Sequence, residues 1–167
     1  LSQQMGNVYH YYVAIKLLLE NNNWSKCEVE KLGDIALIDK NNKQIFNIEV
    51  KHHIEKNELK VYEEEFLKTL SNWFDIRNLF DENTKLILMT TSTISANNPL
   101  KNWNQYDSNK KYKTLQENQT QKNGTTYVNM VKYFHKINKN IDELKKVLAK
   151  FDIQHSLFNI LEIRNEI

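Results

Sequence analysis

Cysteine is nearly missing from this chain, glycine and proline are scarce, and no long apolar run occurs. The single Cys27 excludes an internal disulfide framework and a cysteine-rich zinc site. With three Gly residues and no Gly-rich phosphate loop, the chain does not read as a nucleotide hydrolase. Ser and Cys nucleophile motifs are absent as well. The longest apolar run, Val13 to Leu19, is interrupted by Lys16 and falls far short of the ~20 residues of a membrane helix. No basic stretch followed by an apolar core and a small-residue cleavage site opens the chain. The expectation is a cytoplasmic protein in a reducing setting, with no membrane partner. A net charge of +2 does not announce a nucleic-acid binder, so such a claim must rest on where the charges sit. Because the chain begins on Leu1, it is expected to be a piece of a longer protein.

What is present is an ordinary globular balance, 40% hydrophobic and 26% charged, in a length suited to one domain. Asparagine supplies the punctuation, in clusters at 21–23, 41–42 and 97–98. Val8, Tyr11, Tyr12, Ile15, Leu18 and Leu19 form one apolar stripe of a helix from about Gly6 to Glu20. Trp24 to Lys31 reads as a short strand, broken at Gly33-Asp34, and Ile35 to Asp39 as a second. Asn41-Asn42 makes a hairpin turn into a third strand, Gln44 to Lys51. Leu59, Tyr62, Phe66, Leu70, Trp73 and Phe74 mark a long helix reaching about Phe80, and Leu86 to Thr91 a buried strand. Residues 95–123 are polar with sparse aromatic anchors. Tyr127 to Phe151 is helical, divided by a capping box at Asn140 and Glu143, and Asp152 caps a last helix. The predicted fold is α/β (α+β), a mixed sheet flanked by helices. A core spans 1–125, and 126–167 is a helical extension packed on it.

The informative segment is Gly33-Asp34-Ile35-Ala36-Leu37-Ile38-Asp39 followed by Phe46-Asn47-Ile48-Glu49-Val50-Lys51. Glu49 and Lys51 lie two apart on one strand and project from the same face. The hairpin partner brings Asp34 near them. Two carboxylates and an ammonium on one sheet surface suit a hard cation, because Mg²⁺ accepts one or two carboxylates and fills its shell with water and phosphate oxygens. The Val50 carbonyl is a further oxygen. Lys51 is suited to orient a metal-bound water or to stabilise a pentavalent phosphorane.

Helix, strand, Gly-Asp, hairpin, apolar strand ending in Glu-x-Lys, helix, strand: this order resembles the PD-(D/E)XK, restriction-endonuclease-like superfamily. The opening Gly6 with Tyr9, Tyr11 and Tyr12, the stretch Phe66-Leu67-Lys68-Thr69-Leu70-Ser71-Asn72-Trp73, and Met89-Thr90-Thr91 before Trp103 carry a narrower likeness. Over about residues 6–105 the chain is similar to the double-stranded-DNA endonuclease domain of CBASS antiphage effectors, the CD-NTase-associated family. That family often carries Gln-x-Lys on the third strand; Glu49 here restores the acid of the wider superfamily.

The resemblance implies Mg²⁺ (or Mn²⁺) held by Asp34 and Glu49, catalysis by Lys51, double-stranded DNA as substrate, and a fused or associated sensor or NTPase domain. Self-association into a homo-oligomer is open. Glu30 and Glu20 are candidates for an extra acid beside the metal. Lys68, Thr69 and Asn72 on the following helix, His52 after the catalytic lysine, and Lys110 and Lys111 in a basic-aromatic patch with Tyr106 and Tyr112 are candidate DNA contacts. The acidic run Glu63-Glu64-Glu65 is expected to face away from DNA. Two other functions stay open: a nuclease-like binding or oligomerisation module that uses the Tyr and Trp residues of the polar middle region as its interface, and an RNA-cleaving toxin.

Overall fold

A computed structural model describes residues 2–29, 35–55, 57–61, 63–118, 125–159 and 161–163. The elements run α1 (Ser2–Glu20), β1 (Lys26–Val29), β2 (Ile35–Ile38), β3 (Gln44–Lys51), α2 (Glu64–Asp75), β4 (Lys85–Thr90), α3 (Ser108–Glu117), α4 (Thr125–Ile137), α5 (Ile141–Lys150) and β5 (Phe151–Gln154). Single 3₁₀ turns lie at Arg77–Leu79 and Trp103–Gln105.

The five strands form one mixed sheet in sequence order. β1, β2 and β3 pair antiparallel, and β4 and β5 then join parallel to β3. Local chemistry explains the β2–β3 turn. Asp39 Oδ1 accepts from the Asn41 and Lys43 amides, and Asn42 takes φ 62°, a left-handed geometry that asparagine tolerates. The Asn140 side chain caps α5 by accepting from the Glu143 amide, as the spacing predicts.

Two apolar layers hold the sheet. On one face Tyr9, Val13, Ala14 and Leu17 of α1 pack on Ile35, Leu37, Ile48 and Val50. On the other, Phe66, Leu70 and Trp73 of α2 pack with Leu86, Leu88 and Phe151, beneath α4 and α5. Trp103 and Phe66 meet edge to face at 5.4 Å, and both rings contact Phe151.

Three expectations change. Helix α2 starts at Glu64 rather than near Leu59, which is a buried loop anchor whose amide donates to Thr93 O. Acidic Glu64 and Glu65 suit the positive end of that helix. Residues 151–154 are a strand, not the end of one helix and the start of another. Phe151 and Ile153 are apolar at alternate positions and fill the groove beside β4, so tertiary pairing overrides the helical spacing. The 126–167 region is therefore not only helical, because it supplies an edge strand of the common sheet. Finally, the stripe of α1 singled out by periodicity faces solvent. Val8, Tyr11, Ile15 and Leu19 are more than half exposed, while Tyr9, Val13, Ala14 and Leu17 are the buried face.

Candidate active site

β3 lies between β2 and β4, so both its edges are paired, and with α1 on one face of the sheet and α2 on the other its alternation decides what each side chain meets. Ile48 and Val50 turn to α1. Asn47 turns to α2, where its Oδ1 accepts from Trp73 Nε1 at 2.8 Å. Glu49 and Lys51 follow on the Asn47 side. Glu49 is only 8% exposed, and the Lys51 Nζ donates to its Oε1 at 2.7 Å. A carboxylate this buried calls for a compensating charge, and Lys51 supplies one from the same strand. The Lys51 side chain is a quarter exposed, so the amine stands between the buried acid and solvent.

Because β3, β4 and β5 are parallel, their C-terminal ends share one edge of the sheet, the edge where crevices form in such folds. Thr90, Thr91 and Ser92 are buried there. Thr91 accepts the His53 amide on its hydroxyl at 2.8 Å and donates that hydroxyl to the His53 carbonyl at 3.0 Å. The His53 Nε2 lies 3.1 Å from both carboxylate oxygens of Glu65 on α2. Lys51, His53 and Glu65 thus form a polar rim beside the buried Glu49. His52 takes the opposite face, its ring 4.5 Å from that of Tyr9. Burial, then the neighbouring charges of His53 and His10, hold its pKa below the ordinary value.

His53, Glu65 and Thr91 are absent from the sequence-based site. A hydroxyl run after a strand is visible in the sequence, but only the parallel β3–β4 register shows that Thr91 clamps the chain after Lys51. Glu65, from the acidic start of α2, holds His53.

The remaining candidates separate. Asp34 and Glu30 lie outside the described residues; Asp34 precedes Ile35, which pairs with Ile48, the residue before Glu49. The Lys51 carbonyl accepts from Thr91 N on the β4 side, so alternation turns the Val50 carbonyl toward the β2 edge. Lys68 and Asn72 are exposed on α2 and, with Glu65, occupy positions i, i+3 and i+7 on one face, a row leading away from His53.

Thr69 is corrected: it is 1% exposed, on the core side of α2, and cannot reach a phosphate. Glu20 is exposed at the last position of α1. It borders a groove of about 320 Å³ lined by Met89 and Leu17, on the α1 face of the sheet. It also stands eleven residues, about 16 Å, along the helix from the Tyr9 that touches His52. Lys110 is exposed, 5.6 Å from the Tyr106 ring. Lys111 is corrected: it is 2% exposed, and its Nζ donates to the Leu148 and Phe151 carbonyls at 3.1 and 2.6 Å. Burial lowers its pKa, against the pull of Asp152. It caps α5 where β5 begins, whereas Lys51 pairs with Thr90 at the other end of β4.

Among the described residues no three His, Cys, Asp or Glu side chains are grouped to hold a metal. The donors present are nevertheless those of a hard cation: a buried carboxylate oxygen and a carbonyl, with Cys27 paired far off on β1. Mg²⁺ needs only one or two protein carboxylates, and among the described residues Glu49 supplies one. Among the described residues no helix is long and apolar enough to cross a membrane. Comparison with protein-family models, with curated proteins and with solved structures finds no match.

Proposed function

We propose that this chain is a Mg²⁺-dependent nuclease domain that hydrolyses phosphodiester bonds of double-stranded DNA, acting as an effector in antiphage defence. The observation that carries this reading is the Glu49–Lys51 pair: a buried acid joined at 2.7 Å to a half-buried amine at the open edge of a mixed sheet. The sheet also has the strand–hairpin–strand–helix–strand order of restriction-endonuclease-like enzymes.

Bound Mg²⁺ supplies a polarised phosphate and a coordinated water of lowered pKa. Asp34 and Glu49 would hold it, with the Val50 carbonyl. Lys51 has two tasks. Its charge neutralises Glu49 in the dry strand end, and its ammonium offers a fixed donor to the oxygen that gains charge as water adds to phosphorus and an ester oxygen departs. His53, oriented by Glu65 and clamped by Thr91, lines the path by which a phosphate reaches that amine. Lys68 and Asn72 continue the rim toward solvent, where a duplex backbone would run. The aromatic interface of a non-catalytic module has less support, because Trp103 and Tyr112 are buried.

The test is cleavage of plasmid and linear duplex DNA with Mg²⁺ or Mn²⁺, with RNA as a parallel substrate. Lys51→Ala and Glu49→Gln are expected to lose roughly 100-fold or more of the activity while melting cooperatively. Mg²⁺ should raise the melting temperature of the wild type and not that of Glu49→Gln. Variants that cut as well as the wild type, or cutting that survives chelation, would overturn the assignment.

A further inference from the structure

α1 is a helix with two apolar faces. Tyr9, Val13, Ala14 and Leu17 are buried on the sheet. On the opposite side Val8, Tyr11, Tyr12, Ile15 and Leu19 are exposed, Leu19 to 80%. At 100° per residue these five fall within about 100° of arc. A helix that is apolar all round belongs between two layers, and among the described residues only one is supplied.

The stripe is close to a palindrome. Inverted about the midpoint between Val13 and Ala14, Val8 exchanges with Leu19 and Tyr12 with Ile15. The same inversion sets Tyr11 opposite Lys16, an aromatic ring facing an ammonium. It sets Asn7 opposite Glu20. No like charges meet, since Lys16 and Glu20 are the only acidic or basic residues other than His10 between Ser2 and Glu20. Such a pattern is what a two-fold axis requires, with each residue i meeting j of the partner while j meets i. The near absence of charge fits neither a nucleic acid nor an anionic membrane, each of which calls for lysine or arginine along the polar margin.

We propose that a second copy of this chain docks on the exposed face of α1, the two helices antiparallel across a two-fold axis beside Tyr12 and Ile15. The interface leaves the Glu49–Lys51 edge open, because it lies on the other side of the sheet, and it does not depend on the nuclease reading. Five side chains make a small contact by the standard of ~800 Å² per partner, so the dimer is concentration-dependent.

The experiment has two arms. In a Cys27→Ser background, Val8→Cys with Leu19→Cys is oxidised at high protein concentration. Eleven residues separate the two thiols within one helix, about 16 Å, so a disulfide between them joins two chains. A covalent dimer is expected from the double variant and not from either single variant. In the second arm, sedimentation equilibrium follows the wild type and Ile15→Glu, with circular dichroism melts to show that both fold. Dimerisation that weakens at least tenfold in Ile15→Glu is the expected result. The proposal is overturned by a wild type that stays monomeric into the hundreds of micromolar, which gives the face to a different partner. It is equally overturned by single-cysteine variants that cross-link as well as the double, which indicates a parallel or random encounter.

Discussion

Tyr9 keeps its proton longer than an ordinary tyrosine, its pKa pushed up to about 12 by burial, then by Tyr12 and Glu162. An unfolded chain loses that proton near 10. Between the two values the folded chain holds a proton the unfolded chain has released, so stability falls as pH rises through that window. Tyr9→Phe keeps the ring on His52 and removes the titration. The drop in melting temperature between pH 9.5 and 11.5 is expected to be shallower in Tyr9→Phe than in the wild type, and equal slopes would refute the account. Lys111 gives a different balance. Its charge is desolvated, and both carbonyls it binds keep other donors: the Phe151 amide on Leu148 O, and Trp103 Nε1 on Phe151 O. Lys111→Met is therefore expected to change stability by less than ~1 kcal/mol in either direction, read as a urea midpoint. A loss above ~2 kcal/mol would mean that the ammonium is an essential tie. At this scale Glu49 and Lys51 were legible, because a spacing of two on a strand guarantees a shared face. The burial of Lys111 and Thr69 was not, since a lysine beside tyrosines and a threonine on a helix look alike whether wet or dry.

At the scale of elements, Asn47 ties β3 to α2. It is fully buried, and its Oδ1 is the acceptor for the buried Trp73 indole. Asn47→Leu strands that N–H and is expected to destabilise by about 1–3 kcal/mol, lowering the urea midpoint with an unchanged slope. No change would show that another acceptor takes over. The hairpin at Asn41-Asn42 and the cap at Asn140 were readable because both are made within a few residues. The facing of α1 was not. Its apolar residues surround the helix, so the one stripe that periodicity picked out is not the face that tertiary packing buries with Tyr9 and Val13. β5 escaped notice for a related reason: Phe151 and Ile153 follow α5 without a break, and the groove beside β4 that they fill is lined by residues of α2, β4 and the Trp103 turn, about fifty or more positions earlier.

The whole molecule depends on that late strand. Without β5, β4 becomes an exposed edge, and Trp103, Phe66 and Trp73 lose the Phe151 ring they enclose. α4 and α5 likewise cover the α2 layer. A chain ending at residue 125 is therefore expected to lack a cooperative unfolding transition, measured by circular dichroism in urea. A sharp transition would establish 1–125 as an independent unit. Alternation, turn-forming asparagines and capping residues specify the helix–hairpin–helix–strand order of the first ninety residues and the pairing of Glu49 with Lys51, because each acts over a few positions along the chain. The fifth strand, the clamp of Thr91 on His53, the grip of Glu65 and the outward face of α1 came only with the folded sheet. Each depends on segments far apart in sequence, and no local pattern of side chains encodes which distant surface will cover it.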